Sequence, residues 1–242
     1  MKRNYSNDRN VVGNQIGGKL MLPRIIIHNA ISLDGRIDWL TFDLGLFYGL
    51  ISRWNEDATM VGSNTLLKGF EELNQDQNET PEEMEPDPND QRPLLIVPDS
   101  KGRIRNWKVI LKQPYWRGVV VLCSEKTPKE YLQFLNESKI EYLVVGKEHV
   151  NYKSALKNLY DQYQIKTIRL DSGGTLNGIL LREGLVDEVS ILINPTLVGG
   201  TTPQSFFKAS DLTSYEGVIK LKLLSVEKVA EDIVWLLYEV IK

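Results

Sequence analysis

Short runs of branched apolar residues recur along this chain at 24–31, 58–62, 94–98, 119–123, 142–145, 167–171 and 189–195. Segments with apolar residues at helical spacing separate several of them, at 44–54, 129–138, 153–162 and 175–183, the last with Leu176, Ile179 and Leu180 on one face. Runs this short and this apolar read as strands buried on both faces. A strand, a helix and a second strand in succession form a crossover, so the alternation predicts a mostly parallel sheet with helices on both sides. Near the end the pattern changes. "VIKLKLLSVEKV" and "IVWLLYEVI" are joined by a short polar turn and read as an antiparallel hairpin, which makes the sheet mixed.

At 242 residues the chain suits one α/β domain, read here as residues 23–242, after an N-terminal tail, 1–22, with no apolar core of secretory-signal length. No run approaches a membrane span. The one strongly biased stretch, 71–90, carries nine acidic and no basic residues, and the segment 71–92 reads as a solvated surface loop. Setting those nine charges aside takes the formal balance from −3 to +6, which suits a small anionic ligand and falls short of a nucleic-acid footprint. The single cysteine, Cys123, cannot form an intrachain disulfide, which points to a reducing, cytoplasmic setting. With two histidines and no Cys-x-x-Cys pair, zinc chemistry lacks ligands.

In an open α/β sheet, ligands bind beyond the carboxyl ends of the strands. Asp171-Ser172-Gly173-Gly174-Thr175 stands at such an end with a helix after it. Glycines there let backbone amides approach a diphosphate, and the first N–H groups of the helix supply a positive end. The plainer reading is a capped turn. "DATMVGSNTLL" repeats the arrangement with Gly62 and Thr65, where Thr65 taken alone reads as an N-cap. "PLLIVPDSKGRI" gives a third strand end at Ser100, and "IIIHNAISLDGRID" a fourth at Asp34, where Asp-Gly ordinarily marks a turn. His28, inside an apolar run, reads as a satisfied core histidine.

Taken in order, "ISLDGRID", "DATMVGSNT", "LLIVPDSKGRI" and "DSGGTLNGILLREGLVDEVSILINPTLVGGT" resemble the reductase domain of riboflavin biosynthesis, from Pro23 to the C-terminus. The resemblance implies a dihydrofolate reductase-like fold, a three-layer α/β/α arrangement. It also implies NADPH-dependent reduction of the ribose of a pyrimidine ribosylamine 5′-phosphate, and a homodimer. By position, Ala30 would face the nicotinamide. Gly62, Thr65, Ser100 and the turn Ser172, Gly173, Gly174, Thr175, Leu176 would hold the dinucleotide, so that a valine at Gly174 would weaken cofactor binding with the fold intact. Arg53 and Asp171 would face the substrate. Apart from the resemblance, Asp171 and Asp34 are read as candidate catalytic carboxylates and Asp43 as a further substrate-binding candidate. The cluster Ser100, Lys101, Arg103 would suit a 2′-phosphate.

The chain departs from the family's pattern in two places. The family's acidic segment and phosphate-reading arginine after the threonine are replaced by "LLKGFEELNQDQ", and its small polar and tryptophan segment by "WLTFDLGLFYGL". Arg53, Arg36 and Lys68 are then the candidates for meeting a substrate phosphate. The zinc-deaminase signature of many bacterial relatives does not occur, so a stand-alone reductase is expected. A same-fold reductase of another pteridine-like or carbonyl substrate, or a non-catalytic nucleotide-binding protein, fits the same residues.

Overall fold

The computed structural model describes residues 21–73, 90–201 and 204–242. Its strands are β1 (Arg24–Ser32), β2 (Ala58–Met60), β3 (Leu94–Pro98), β4 (Gly118–Cys123), β5 (Glu141–Val144), β6 (Thr167–Leu170), β7 (Glu188–Asn194), β8 (Leu221–Lys228) and β9 (Val234–Val240). Its helices are α1 (Leu44–Gly49), α2 (Ser63–Leu73), α3 (Trp107–Leu111), α4 (Lys129–Glu137), α5 (Tyr152–Tyr163) and α6 (Gly174–Arg182). One sheet takes the nine strands in the order β5-β4-β3-β2-β6-β1-β7-β9-β8. From β5 to β7 every pairing is parallel, and β9 is antiparallel to both β7 and β8, so β9 alone runs against the other eight.

Strand alternation decides which helix covers which face. Ile25 and Ile27 of β1, Ile96 of β3 and Val120 of β4 pack with Ala155, Leu156 and Leu159 of α5 and Leu176 and Leu180 of α6. The intervening residues point the other way. Leu95, Val97, Val119 and Val121 meet Leu66 of α2, Trp107 and Ile110 of α3, and Tyr131 and Leu135 of α4. Ile26 and Ala30 meet Phe47 of α1, Trp54 and Trp235. Helices thus cover both faces, giving the three-layer, dihydrofolate reductase-like architecture that the sequence predicts. Ile25, Ile26 and Ile27 have no exposed surface at all, and burial of this kind stabilises by about 2 kcal/mol per side chain.

The helical spacing does not predict α2 or α3. The first is polar in its opening turn and acidic beyond it, and the second has only five residues. Because α2 runs to Leu73, the acidic loop expected over 71–92 begins later than its composition suggests. Residues 74–89, like most of the tail expected over 1–22, lie outside the described residues. The apolar strand "IVWLLYEVI" of the expected hairpin is β9, with β7 on one side and β8 on the other. The edge is β8, whose Leu221, Leu223, Leu224 and Val226 are between 43% and 58% exposed.

Candidate active site

Two adjacent parallel strands, β2 and β6, each end in a glycine turn that opens a helix, and the two turns are tied together. The Gly62 N–H donates to Ser172 Oγ at 3.1 Å, and the Gly173 N–H to Thr65 Oγ1 at 3.3 Å. At α6 no side chain caps the helix. The first intrahelical bond is Asn177 N–H to the Gly173 carbonyl at 3.4 Å, so the N–H groups of Gly174, Thr175 and Leu176 precede it. They open on a cleft of about 770 Å³ at the carboxyl ends of the strands. Gly62, Thr65, Ala30, Asp171 and all five residues from Ser172 to Leu176 line it. An uncapped helix start beside a glycine turn suits an anion.

The glycines divide by role. A Cβ on Gly173 would touch only Ile37 Cδ1 and Thr65 Oγ1, each at an ordinary 3.7 Å, so Gly173 leaves its turn open to the cleft. A Cβ on Gly174 would lie 2.0 Å from the Ser205 carbonyl oxygen, and one on Gly178 1.9 Å from that of Lys208. Those two glycines admit the backbone of residues 205–208, which the Lys208 N–H bonds to the Gly174 carbonyl at 3.0 Å. The expectation that valine at Gly174 leaves the fold intact is therefore corrected, since a side chain there meets backbone.

Two buried amides brace the same turn from below. Asn29 Nδ2 donates to the Ser172 carbonyl at 3.0 Å, and Asn177 Nδ2 reaches Asn29 Oδ1 and the Phe206 carbonyl at 2.8 Å each. Across the cleft, Asp171 Oδ2 accepts from Arg169 Nη1 at 2.8 Å and from the Tyr48 hydroxyl at 3.5 Å. Arg169 is only 4% exposed and also donates from Nε and Nη2 to Glu56 at 2.6 and 3.2 Å. Burial works against its charge, but Asp171 and Glu56 outweigh burial and hold the guanidinium above its ordinary range. Burial, with Asp171 close by, lifts the Tyr48 hydroxyl to about 12.

His28 is the satisfied core histidine that the sequence suggests. The Phe47 carbonyl, 3.1 Å from Nε2, can only accept, so Nε2 carries the proton. Nδ1 then takes the Ser190 hydroxyl at 2.8 Å, and Ser190 Oγ takes the Trp235 indole N–H at 2.7 Å. Burial pushes the imidazole down to about 4. Cys123 is likewise an interior group, its thiol pushed up to about 12 by burial.

Several expected site residues lie elsewhere. Asp34 does not line the cleft; its carboxyl is held at about 2 by the Ser32 hydroxyl and the Val198 and Gly199 N–H groups, so it anchors a loop. Asp43 caps α1 through the Leu46 N–H at 3.0 Å. Arg53 turns to the hairpin, 3.6 Å from Glu227 and stacked over the Trp235 ring. The short 3-10 turn that carries it, Leu50–Arg53, ends beside β8 and β9, which spacing along the chain does not reveal. Arg36 bonds the Gly200 carbonyl. Ser100 lies outside the cleft lining, its carbonyl taken by Thr127, while Arg103 Nη2 donates to Ser63 Oγ at the start of α2. Lys68 does line the cleft. So do Lys208, Tyr48 and Asn29, which motif reading passes over because lysine, tyrosine and asparagine outside a motif carry no signal.

Residues 23–235 match the family model described as the RibD C-terminal domain. The 2,5-diamino-6-ribosylamino-4(3H)-pyrimidinone 5′-phosphate reductase of Methanothermobacter thermautotrophicus is 30% identical over 222 residues, covering 88% of this chain and 97% of its own. The enzyme of the same name from Archaeoglobus fulgidus is 29% identical over 189 residues, 74% of this chain and 84% of its own. The fold is shared with the riboflavin biosynthesis reductase Rib7 of Saccharomyces cerevisiae, at a TM-score of 0.64 and 19% identity, over 93% of this chain and 92% of that one. With its strand ends, glycine turns and cleft in the order that those sequence motifs predict, the chain belongs to the RibD C-terminal domain family.

Proposed function

We propose that this protein is an NADPH-dependent reductase of a pyrimidine ribosylamine 5′-phosphate, of the kind for which its archaeal relatives are named. The observation that carries the reading is the uncapped start of α6, opening beside Gly173 on a cleft that has a carboxylate, Asp171, on one side and two lysines, Lys68 and Lys208, within its lining. A dinucleotide fits this arrangement. The open face of Gly173 admits a diphosphate, the N–H groups of Gly174, Thr175 and Leu176 meet its charge, and Ala30 leaves room for a flat ring. Arg103, held at Ser63, stands at the start of α2, where a 2′-phosphate favours NADPH over NADH.

When bound, the dihydronicotinamide supplies the hydride to the ribose carbonyl or imine carbon. The protein contributes orientation and charge. Asp171 accepts a hydrogen bond from the substrate, and Phe42, Phe47 and Tyr48 give the cleft an aromatic wall for a planar base. Lys68 and Lys208, neither paired with a carboxylate among the described residues, meet the 5′-phosphate in place of an arginine. The exposed apolar strand β8 is the surface through which we expect two copies to pair.

The deciding experiment follows NADPH oxidation with a panel of pyrimidine and pteridine substrates, phosphorylated and not. Turnover of the phosphoribosylamino-pyrimidine alone supports the reading. Turnover of a pteridine or simple carbonyl instead assigns a different substrate, and tight NADPH binding without any turnover identifies a nucleotide-binding protein.

A further inference from the structure

Arg169 is the single charged residue of β6, and it is buried beside the apolar Ile26 of β1, with which it is in register. A buried guanidinium between two carboxylates is weak support for stability, because desolvating three charges offsets most of their attraction and apolar side chains would pack as well. What such a trio does supply is fixed geometry. The planar fork of Arg169 is set by Glu56, with Nε at 2.6 Å from Oε2 and Nη2 at 3.2 Å from Oε1. Glu56 is itself held by the Thr59 hydroxyl at 3.0 Å. With the plane set, the remaining nitrogen, Nη1, points at Asp171 Oδ2, at 2.8 Å, and the Tyr48 hydroxyl approaches the same oxygen. Asp171 Oδ1 has no bond from the described residues and is not buried, so one oxygen of the carboxylate is spoken for and the other is open to the cleft.

We propose that Glu56 and Arg169 are positioning residues for Asp171, fixing its carboxylate so that a single oxygen, Oδ1, is presented to a substrate N–H or O–H donor. This deepens the reading of the cleft as a reductase site and rests on it for the identity of the substrate. Neither residue touches the substrate. A carboxylate free to rotate would offer either oxygen, over a range of positions, and a misplaced acceptor lowers the rate without lowering cofactor affinity.

The test compares Glu56→Gln, Asp171→Asn and the double variant. Glu56→Gln is expected to lower kcat/KM for the phosphoribosylamino-pyrimidine by roughly tenfold or more, with NADPH affinity close to the parent's. In the Asp171→Asn background the same change is expected to cost nothing further, because the two residues act as one unit. Parent-like activity in Glu56→Gln, or losses that simply add, overturns the proposal. Should Glu56→Gln fail to fold, Arg169→Lys, which keeps the charge and removes the fork, is expected to give the same pattern, and a parent-like rate there overturns it equally. A second readout is independent of the substrate. The Asp171 carboxyl carbon resonance, assigned by its loss in Asp171→Asn, is expected to move in Glu56→Gln, and an unmoved resonance sinks the proposal even where the pyrimidine is not turned over. Failure of the unaltered protein to reduce the pyrimidine sinks the functional reading alone.

Discussion

At the scale of single residues, neighbouring glycines separate binding from packing. Gly173→Val keeps an extended backbone, φ −80° and ψ 173°, that any residue adopts, and its side chain would fill the approach to the turn. It is expected to leave Tm unchanged and to weaken NADPH in a fluorescence titration by tenfold or more, about 1.4 kcal/mol. Gly174→Val must displace the Ser205 carbonyl and is expected to cost about 3 kcal/mol of stability, read by denaturant unfolding. Sequence alone identifies both glycines as special and does not reveal the packing at Gly174, because the backbone it admits comes from some thirty residues later in the chain. The phosphate site behaves similarly. Lys68→Ala is expected to lower kcat/KM for the phosphorylated substrate at least tenfold, about 1.4 kcal/mol, and to leave the dephosphorylated compound unaffected. Arg53→Ala is expected to change neither rate, since Arg53 is engaged by Glu227 and Trp235.

At the scale of elements, one chain of hydrogen bonds joins β9, β7, β1 and α1 through Trp235, Ser190, His28 and the Phe47 carbonyl. It requires a neutral imidazole, because a protonated Nδ1 can no longer accept from Ser190. With the imidazole lowered from 6.5 to about 4, the unfolded chain binds the proton more readily than the folded one between those limits. The contribution is thus complete above pH 6.5 and is lost as pH falls through 4, on the order of 3 kcal/mol in all. Thermal unfolding between pH 7 and 4 is expected to show this slope, and His28→Gln to flatten it while lowering Tm at neutral pH. Elements whose residues are contiguous were legible from periodicity: β1, β6, α5 and α6 stand where apolar spacing places them. What spacing cannot reveal is partnership across the sheet. Glu56 with Arg169 and Asn29 with Asn177 meet only because β6 lies between β2 and β1, and each of these residue types is ordinarily solvated.

For the whole molecule, the exposed leucines of β8 make self-association the expected state, and light scattering at micromolar concentration is expected to report a dimer. Leu223→Lys together with Val226→Lys is expected to yield a monomer of unchanged Tm, and a monomeric parent protein would remove β8 from consideration as an interface. The sheet order carries a different consequence, for how the protein is made. In β1, Arg24 pairs with Thr167 and Ile26 with Glu188, so this strand is synthesised well before either of its neighbours. Until β6 and β7 leave the ribosome, three consecutive isoleucines have no sheet to join, and a nascent chain in that condition is a target for chaperones and for aggregation. Moving the start of the polypeptide to the loop before β6, by circular permutation, would let β1 emerge beside partners already made and should shorten the period of chaperone dependence.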